Sequence, residues 1–286
     1  MLNALTFDVE EHFQVHNFET VVDRSDWERF PSRVVDNTRC ILRLLAEHEV
    51  YATFFVLGWV AERHPQLVCE IALAGHEIAS HGYWHELIYR QTPEEFSRDV
   101  GDSLRAISQA LDSLDTAAHD GQIRGYRAPA FSITRDSLWA LKALSEMGFQ
   151  YDSSIFPLAT HDRYGLSSAN RFAHRTEEGI WEIPVSTVRI AARNLPVGGG
   201  GYFRLFPLAL TQQGLRRINR EGHPAVLYLH PWEFDPDQPR IQVAPLVSRF
   251  RHYVNLHRTE GKLRSLLSAF RFAPISQVFA QEFNPV

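Results

Sequence analysis

Residues 76–85 read His76-Glu77-Ile78-Ala79-Ser80-His81-Gly82-Tyr83-Trp84-His85, and the rest of the chain is organised around them. The apolar run that follows Gly75 predicts a short buried strand, so His81 stands where that strand ends and a loop begins. His85 follows four residues later, a spacing that puts two side chains on one face of a helical turn. Two imidazoles so placed can bind one divalent metal ion, although the same spacing also fits two ordinary polar residues near a strand end.

The composition is that of an ordinary globular chain. Of its 286 residues 44% are hydrophobic, enough for a large core, and the formal net charge of −5 predicts no general attraction to nucleic acid or to an anionic membrane. Cys40 and Cys69 lie in apolar helical patterns, which favours reduced core residues over a disulfide. The start of the chain lacks a secretory signal pattern, and no apolar stretch is long enough to span a bilayer. We therefore expect a cytoplasmic protein without membrane insertion.

Strand and helix patterns alternate along the chain. The predicted strands are residues 4–10, 52–56, 77–80, 123–127, 149–152, 180–186 and 224–230. Helical spacing covers residues 34–48, 64–74, 92–114, 135–147 and 208–221. This alternation predicts βαβ units and a parallel sheet. Seven strands without a dinucleotide-binding glycine pattern favour an α/β barrel over an open sheet.

The segments between and after these elements predict loops and C-terminal helices. Residues 195–202 contain four successive glycines and predict a loop, and residues 115–122 predict a polar surface loop. The apolar pattern from Pro245 to Phe270 predicts one broken helix or two short ones. We expect a single domain over residues 1–286, with the barrel motifs in 1–231 and a C-terminal helical extension, 232–286, packed on them.

Polar residues stand at the ends of four predicted strands, where parallel α/β folds gather their functional groups. The first strand ends with Asp8 and Glu10, the third with His81, the fourth with Arg127 and the seventh with His230. Because Asp8 and Glu10 are two positions apart, they face the same way on a strand. That arrangement suits a base and a metal ligand that share one site.

These residue types together predict metal-assisted hydrolysis of an acyl bond. Glu10, His81 and His85 would leave coordination positions open for water and a substrate oxygen, which marks a catalytic metal. Asp8 would take the proton from water, and Arg127 would keep Asp8 ionised and oriented. A histidine across the barrel mouth, His230, would protonate the leaving amine.

The order of these short motifs along the chain resembles that of a known family. Five short motifs occur in order over residues 2–231: Thr6-Phe7-Asp8, His81-x-x-x-His85, Arg127-x-Pro129, Asp152 and Leu227-Tyr228-Leu229-His230. They resemble the motifs of the polysaccharide deacetylases (carbohydrate esterase family 4, the NodB homology domain). The resemblance implies a distorted (β/α)7 barrel and metal-dependent removal of N- or O-acetyl groups from sugars. It also implies a divalent cofactor, Zn²⁺ in the first place, with Co²⁺, Ni²⁺ and Mn²⁺ as alternatives.

One departure from the family pattern concerns the metal ligand. The common motif has two adjacent Asp residues, whereas Val9 follows Asp8 here. Asp8-Val9-Glu10 resembles the Asp-x-Asp variant of a cytosolic branch, so Glu10 is our choice of ligand, with Glu11 and His12 as alternatives. Residues 6–13 and 230–235 most resemble deacetylases encoded beside exosortase-linked (PEP-CTERM) exopolysaccharide loci. That implies an intracellular role on the precursor of an exported polysaccharide.

Other candidate residues carry alternatives that the sequence leaves open. Asp152 supports Arg127 or the barrel mouth, or it is a helix N-cap or turn residue. Phe131 stands near the family's tyrosine, which implies that its backbone N–H helps to bind an oxyanion. Aromatic residues near the predicted site form a sugar-binding rim or pack in the core: Trp84, Trp232, Tyr202 and Phe203. The polar cluster of residues 161–163 contacts substrate or is solvated.

Three functions are compatible with these residues. The first is a metal-dependent sugar N-deacetylase whose partner is an acetylated saccharide. The second is a related metal-dependent hydrolase of non-sugar amides, and the third is a non-catalytic glycan-binding barrel. The combined presence of Asp8, Arg127 and His230 argues against the third, because a binding protein needs none of that set. A homo-oligomer is neither predicted nor excluded.

Overall fold

The fold is taken from a computed structural model that describes residues 1–112, 114, 121–158, 165–166, 168–191 and 193–284. Most of the predicted loop 115–122 and all of residues 161–163 lie outside the described part. The strands are β1 (Leu2–Val9), β2 (Thr53–Val56), β3 (Glu77–Ser80), β4 (Gly125–Tyr126), β5 (Tyr151–Asp152), β6 (His174–Arg175), β7 (Trp181–Glu182), β8 (Thr187–Ile190), β9 (Arg193–Pro196), β10 (Val226–Leu229) and β11 (Arg271–Ala273). The α-helices are α1 (Val34–Glu47), α2 (Gly58–Arg63), α3 (Pro65–Leu73), α4 (Pro93–Leu111), α5 (Trp139–Glu146), α6 (Gly200–Leu205), α7 (Leu208–Arg220), α8 (Leu246–Tyr253), α9 (Thr259–Ala269), α10 (Ile275–Val278) and α11 (Ala280–Phe283).

The main sheet is mixed but mostly parallel, as the alternation of strands and helices predicts. Its order is β10-β1-β2-β3-β4-β5-β7-β6, with β11 paired to β1 and only β6 antiparallel to its neighbour. Hydrogen bonds from irregular backbone join the two ends of this curled sheet. Ser186 N–H donates to the Val226 carbonyl at 3.2 Å, and Tyr228 N–H donates to the Gly198 carbonyl at 2.7 Å. The result is the distorted barrel that the sequence predicts.

The predicted sixth strand, residues 180–186, is regular only in β7. It contains Pro184, which has no N–H to donate to a ladder, and this accounts for the early end of regular pairing. Residues 195–202 also differ from the predicted loop. Pro196 ends β9, which pairs antiparallel with β8, and Gly200 begins α6.

Strand β1 shows how the two faces of the sheet differ. Leu5, Phe7 and Val9 belong to the core between the sheet and the surrounding helices. The alternate residues face the barrel interior, where Ala4 packs at the lower end and Asp8 lies nearer the C-terminal end of the strand. The apolar floor of the barrel comprises Ala4, Phe55, Ala79, Tyr151, Ile183, Val226, Ile275 and Phe279. Polar groups of β1 are therefore held above an apolar floor.

Helix α4 begins where the sequence predicts. The Thr92 hydroxyl accepts the backbone N–H of Glu95 at 3.2 Å, and the Glu95 carboxylate accepts the backbone N–H of Thr92 at 2.8 Å. Pro93 occupies the first helical position, where its missing N–H costs no hydrogen bond. Among the described helices, none is both long and apolar enough to cross a membrane.

The C-terminal segment is helical, as expected, but it also contributes a strand. Residues 271–273 form β11, which pairs parallel with Leu2–Ala4 of β1. Ile275 and Phe279 then close the lower end of the barrel. A three-residue strand is too short to show an alternating pattern, which is why the sequence does not reveal it.

Candidate active site

A cavity of about 410 Å³ opens at the C-terminal ends of the barrel strands. Its walls include five of the predicted site residues that carry ionisable groups: Asp8, Glu10, His81, His85 and His230. They come from the ends of β1, β3 and β10 and from the loop after β3. Strand direction in a parallel barrel is what brings these distant residues together.

Three of these residues form a cluster that could hold a metal ion. Donor atoms of Glu10, His81 and His85 all lie within 4.8 Å of one another. Glu10 Oε2 is 2.7 Å from His85 Nε2 and 4.0 Å from His81 Nε2. The predicted helical turn between the two histidines is absent, since His85 lies in an irregular loop with φ 54°. The loop, rather than a helix face, directs both imidazoles to one point.

The hydrogen bonding of His81 and the pKa shifts of His81 and Glu10 fit a divalent ion. His81 Nδ1 lies 2.8 Å from the Arg127 carbonyl, so Nδ1 carries the proton and Nε2 is left as a ligand atom. Burial lowers the pKa of His81 to about 4, which keeps the ring neutral near pH 7. Burial alone would raise the pKa of Glu10, but His85, with His230 and His81, outweighs it and holds that pKa well below its ordinary value. Neutral imidazoles and an ionised carboxylate are the forms that metals bind.

A hydrogen bond holds one oxygen of the Glu10 carboxylate, and the other oxygen faces the two imidazoles. Trp232 Nε1–H donates to Glu10 Oε1 at 3.0 Å. Glu10 Oε2 is buried and faces the imidazole nitrogens of His85 and His81. A carboxylate oxygen beside two imidazole nitrogens matches the donor set of Zn²⁺, and other first-row ions also take such sites.

Of the alternative ligands, Glu11 bonds to other groups and His12 lies outside the cluster. The Glu11 carboxylate accepts the backbone N–H of Arg33 at 3.0 and 3.1 Å and bonds to the Ser32 hydroxyl. The His12 ring is fully buried, and neither of its nitrogens has a hydrogen-bond partner among the described residues. Neither residue belongs to the cluster that the described part of the chain forms around Glu10.

Asp8 is fixed by Arg127. One Asp8 oxygen lies 2.7 Å from Arg127 Nη1, and the other lies 3.8 Å from His230 Nε2. The guanidinium is fully buried and also donates to the Thr6 hydroxyl at 2.7 Å and to the carbonyl and hydroxyl of Ser153 at 3.1 and 2.8 Å. Arg127 therefore stands behind Asp8 and acts as its positioning residue.

His230 is oriented by a carboxylate that we did not predict. Its Nδ1 lies 2.6 Å from Glu233 Oε1, and Glu233 Oε2 accepts from Arg204 Nε at 2.7 Å. Burial alone would lower the pKa of His230, but Glu233, with Glu10 and Asp8, raises it above its ordinary value. A signal for Glu233 is present in the sequence, because Pro231 followed by Glu at the third helical position is a capping pattern. Arg204 has no such local signal.

The structure corrects the predicted sugar rim. Trp232 lines the main cavity but is only 5% exposed, and its ring stacks between those of His230 and His252 at centroid distances of 5.0 and 4.2 Å, which favours packing over an accessible sugar-binding face. Phe203 is buried in the core. Trp84 is exposed but lines a neighbouring cavity of about 440 Å³, and only Tyr202 of the predicted rim aromatics lines the main cavity in an accessible position.

The geometry also bears on the roles predicted for Phe131 and Asp152. Phe131 lines the cavity, but its backbone N–H donates to the Ala128 carbonyl at 3.1 Å and is not directed at an oxyanion. Asp152 does not reach the cavity. Its carboxylate accepts the hydroxyl and backbone N–H of Ser154, as the turn alternative predicts, and it lies beside Glu182. Burial raises the pKa of Asp152 and the charge of Arg127 opposes that rise, so the alternative of a support for Arg127 also stands. Residues 161–163 lie outside the described part of the chain.

Comparison with known proteins agrees with this geometry. Residues 4–151 match the family model "Polysaccharide deacetylase", and residues 153–280 match "Domain of unknown function (DUF3473)". The segment that matches the second model contains His230 of the cavity and the two residues that hold it, Glu233 and Arg204. Strands from both matched segments belong to one sheet.

Curated relatives carry deacetylase names. A chitooligosaccharide deacetylase of Sinorhizobium fredii is 36% identical over 103 residues, which are 36% of this chain and 44% of the relative. A peptidoglycan-N-acetylglucosamine deacetylase of Bacillus cereus is 40% identical over 60 residues, 21% of this chain and 22% of the relative. The chain spans less than half the length of these curated relatives.

Solved structures share the fold. A Mycobacterium smegmatis protein provisionally described as a polysaccharide deacetylase superposes with a TM-score of 0.60 at 21% identity, covering 99% of this chain and 92% of that one. The peptidoglycan deacetylase PdaC of Bacillus subtilis gives 0.52 at 13% identity, covering 98% and 91%. The family model spans more than half of the chain, and its strand-end motifs converge on one cavity. The chain therefore belongs to the polysaccharide deacetylase family.

Proposed function

We propose that the protein is a metal-dependent hydrolase that removes acetyl groups, N-acetyl in the first place, from a sugar of a bacterial exopolysaccharide or its precursor. The observation that carries this proposal is the convergence of three groups on one cavity. These are the cluster of Glu10, His81 and His85, the fixed carboxylate of Asp8, and His230. Family membership supports the deacetylase chemistry.

Each side chain has a role that follows from its contacts. Glu10, His81 and His85 would hold the ion, which when bound polarises a carbonyl and makes water more acidic. Asp8 accepts a proton from the attacking water, because the hydrogen bond from Arg127 holds its carboxylate in place at the cavity. His230 enters protonated, since Glu233 stabilises its charge, and gives a proton to the departing sugar amine.

The substrate class is supported by the relatives and by the cavity. The curated relatives are named for chitooligosaccharides and for peptidoglycan N-acetylglucosamine, which favours an N-acetylated hexosamine. The neighbouring cavity meets the main one at Val15, His16 and His85, so a chain longer than one sugar has room to extend. The resemblance to exosortase-linked deacetylases supports a cytoplasmic precursor of an exopolysaccharide as the substrate.

Acetate release tests the proposal. The purified protein, with its bound metal measured, is assayed on N-acetylated oligosaccharides, O-acetylated sugars and simple non-sugar amides. We expect release from N-acetylated sugars and its loss in Asp8→Asn and His230→Ala, with Asp112→Asn as an exposed control carboxyl. Turnover of non-sugar amides alone would favour the related amide hydrolase, and sugar binding without release would favour the glycan-binding alternative.

A further inference from the structure

Helix α8 and the residues before it expose an apolar face. Val243, Leu246, Val247 and Phe250 are 77%, 78%, 61% and 60% exposed. Leu246, Val247 and Phe250 lie on one side of α8, and Val243 precedes the helix. Single exposed apolar residues are ordinary, but three on one side of a helix, with a fourth just before it, form a patch that calls for a partner.

This apolar face lies beside the mouth of the cavity. Phe250 and Arg251 of α8 line the same cavity as Asp8 and His230, and so does Leu205, which is 49% exposed. A partner bound to this apolar face would therefore lie close to the entrance of the cavity.

The charge around the apolar face differs from that of the whole chain. Residues 238–259 contain four arginines and no aspartate or glutamate, within a chain whose net charge is −5. The arginines are Arg240, Arg249, Arg251 and Arg258. Arg249 donates to the Gln242 carbonyl at 3.4 Å, and Arg240 lies over the Tyr253 ring, so both contacts are with neutral groups. Within the described part of the chain neither arginine pairs with a carboxylate, so their positive charge is available to an anionic partner.

We propose that this face docks the protein on the surface of an anionic phospholipid bilayer, with α8 lying in the headgroup region. Exposed apolar side chains beside arginines, on a short amphipathic helix, are what interfacial binding requires. A second copy of the chain is a poorer occupant, because a symmetric contact would bring the arginines of both copies together. Docking at this face would hold the protein at a membrane whichever reaction its cavity carries out.

Vesicle co-sedimentation tests the inference with the full chain. We expect binding to vesicles of phosphatidylcholine with phosphatidylglycerol, weaker binding to phosphatidylcholine alone, and release by salt. Replacing Leu246 by Glu removes one buried leucine from the contact, so partitioning should weaken about tenfold or more. Arg249→Gln should weaken only the binding that depends on phosphatidylglycerol.

Leu73→Glu is the matched control. Leu73 is 56% exposed and ends α3, which precedes the N-terminal end of β3 and so lies away from the cavity mouth. This variant should sediment with vesicles like the wild type, and circular dichroism should show all variants folded. Failure of the wild type to bind either vesicle would overturn the inference. So would a dimer in light scattering that Leu246→Glu dissociates, because the face would then be a contact between copies.

Discussion

Glu233 Oε1 lies 2.6 Å from Nδ1 of His230, and both side chains are held inside the protein. Because Glu233 also accepts a hydrogen bond from the buried Arg204, its carboxylate cannot turn away from the imidazole. The pair fixes the orientation of His230 and directs Nε2 toward the cavity, where Asp8 and Glu10 each lie 3.8 Å away. Glu233 thus orients His230, the acid of the proposed reaction, and stabilises its positive charge.

The first prediction is that Glu233→Gln shifts the alkaline limb of activity to lower pH. Glu233 raises the pKa of His230, and the proposed reaction needs the protonated ring. That form is present below the pKa and is lost as the pH rises through it. Without the negative charge the pKa falls, so kcat should decline at a lower pH than in the wild type. The pH profile of kcat measures this shift.

Glu94→Gln, on the exposed first turn of α4, is the control for this substitution and should leave the profile unchanged. Thermal unfolding of both variants separates an effect on His230 from loss of the fold, because Glu233→Gln leaves Arg204 without its charged partner. A uniform drop in kcat with an unmoved pH profile would mean that Glu233 has only a structural role.

The second prediction concerns Trp232, whose indole N–H donates to Glu10 Oε1 at 3.0 Å. Trp232→Phe keeps an aromatic ring but removes the donor that orients the carboxylate. We expect metal affinity to fall about tenfold or more, the usual cost of losing an outer hydrogen bond to a ligand. Competition with a chelator measures the change. An unchanged affinity with poorer binding of long saccharides would restore the sugar-rim role that the structure argues against.

The third prediction concerns Gly199, which has φ 140° and lies against β10. A Cβ added there would stand 1.8 Å from the Tyr228 carbonyl oxygen, in the backbone that joins the ends of the sheet. Gly199→Ala should lower the free energy of unfolding by more than about 3 kcal/mol, because strain and overlap add. Gly222→Ala is the control, since φ is also positive but the space is open, and it should cost only about 1–2 kcal/mol. If urea unfolding showed that the two variants lose equal free energy of unfolding, the close contact between Gly199 and the Tyr228 backbone would be contradicted.

The sequence predicts what local rules determine. The cap of Thr92 and Glu95, the burial of β1 to β3, and the polar ends of the strands follow from residue type and spacing, and they are found in the structure. The family resemblance is confirmed by the match over residues 4–151. The grouping of Glu10 with His81 and His85 follows from strand direction in a parallel barrel.

The sequence does not determine which way an aromatic or acidic side chain faces once the backbone leaves a regular strand. Trp232 follows His230 by two residues and looks like a rim residue, but the turn at Pro231 buries it against His252. Asp152 ends a strand like Asp8, yet its carboxylate binds Ser154. Arg204 meets Glu233 only because α6 packs against the turn after β10, a contact between residues far apart in the chain. Such contacts have no local signature.

The most direct test of the central claim is to measure acetate release while a divalent ion is titrated into metal-free protein. The account predicts no release from an N-acetylated oligosaccharide without metal and a linear rise that ends at one ion per chain. His81→Ala, checked for folding, should neither bind that ion nor release acetate. Full turnover by the metal-free protein, or an ion bound equally well by the folded His81→Ala variant, would contradict the account.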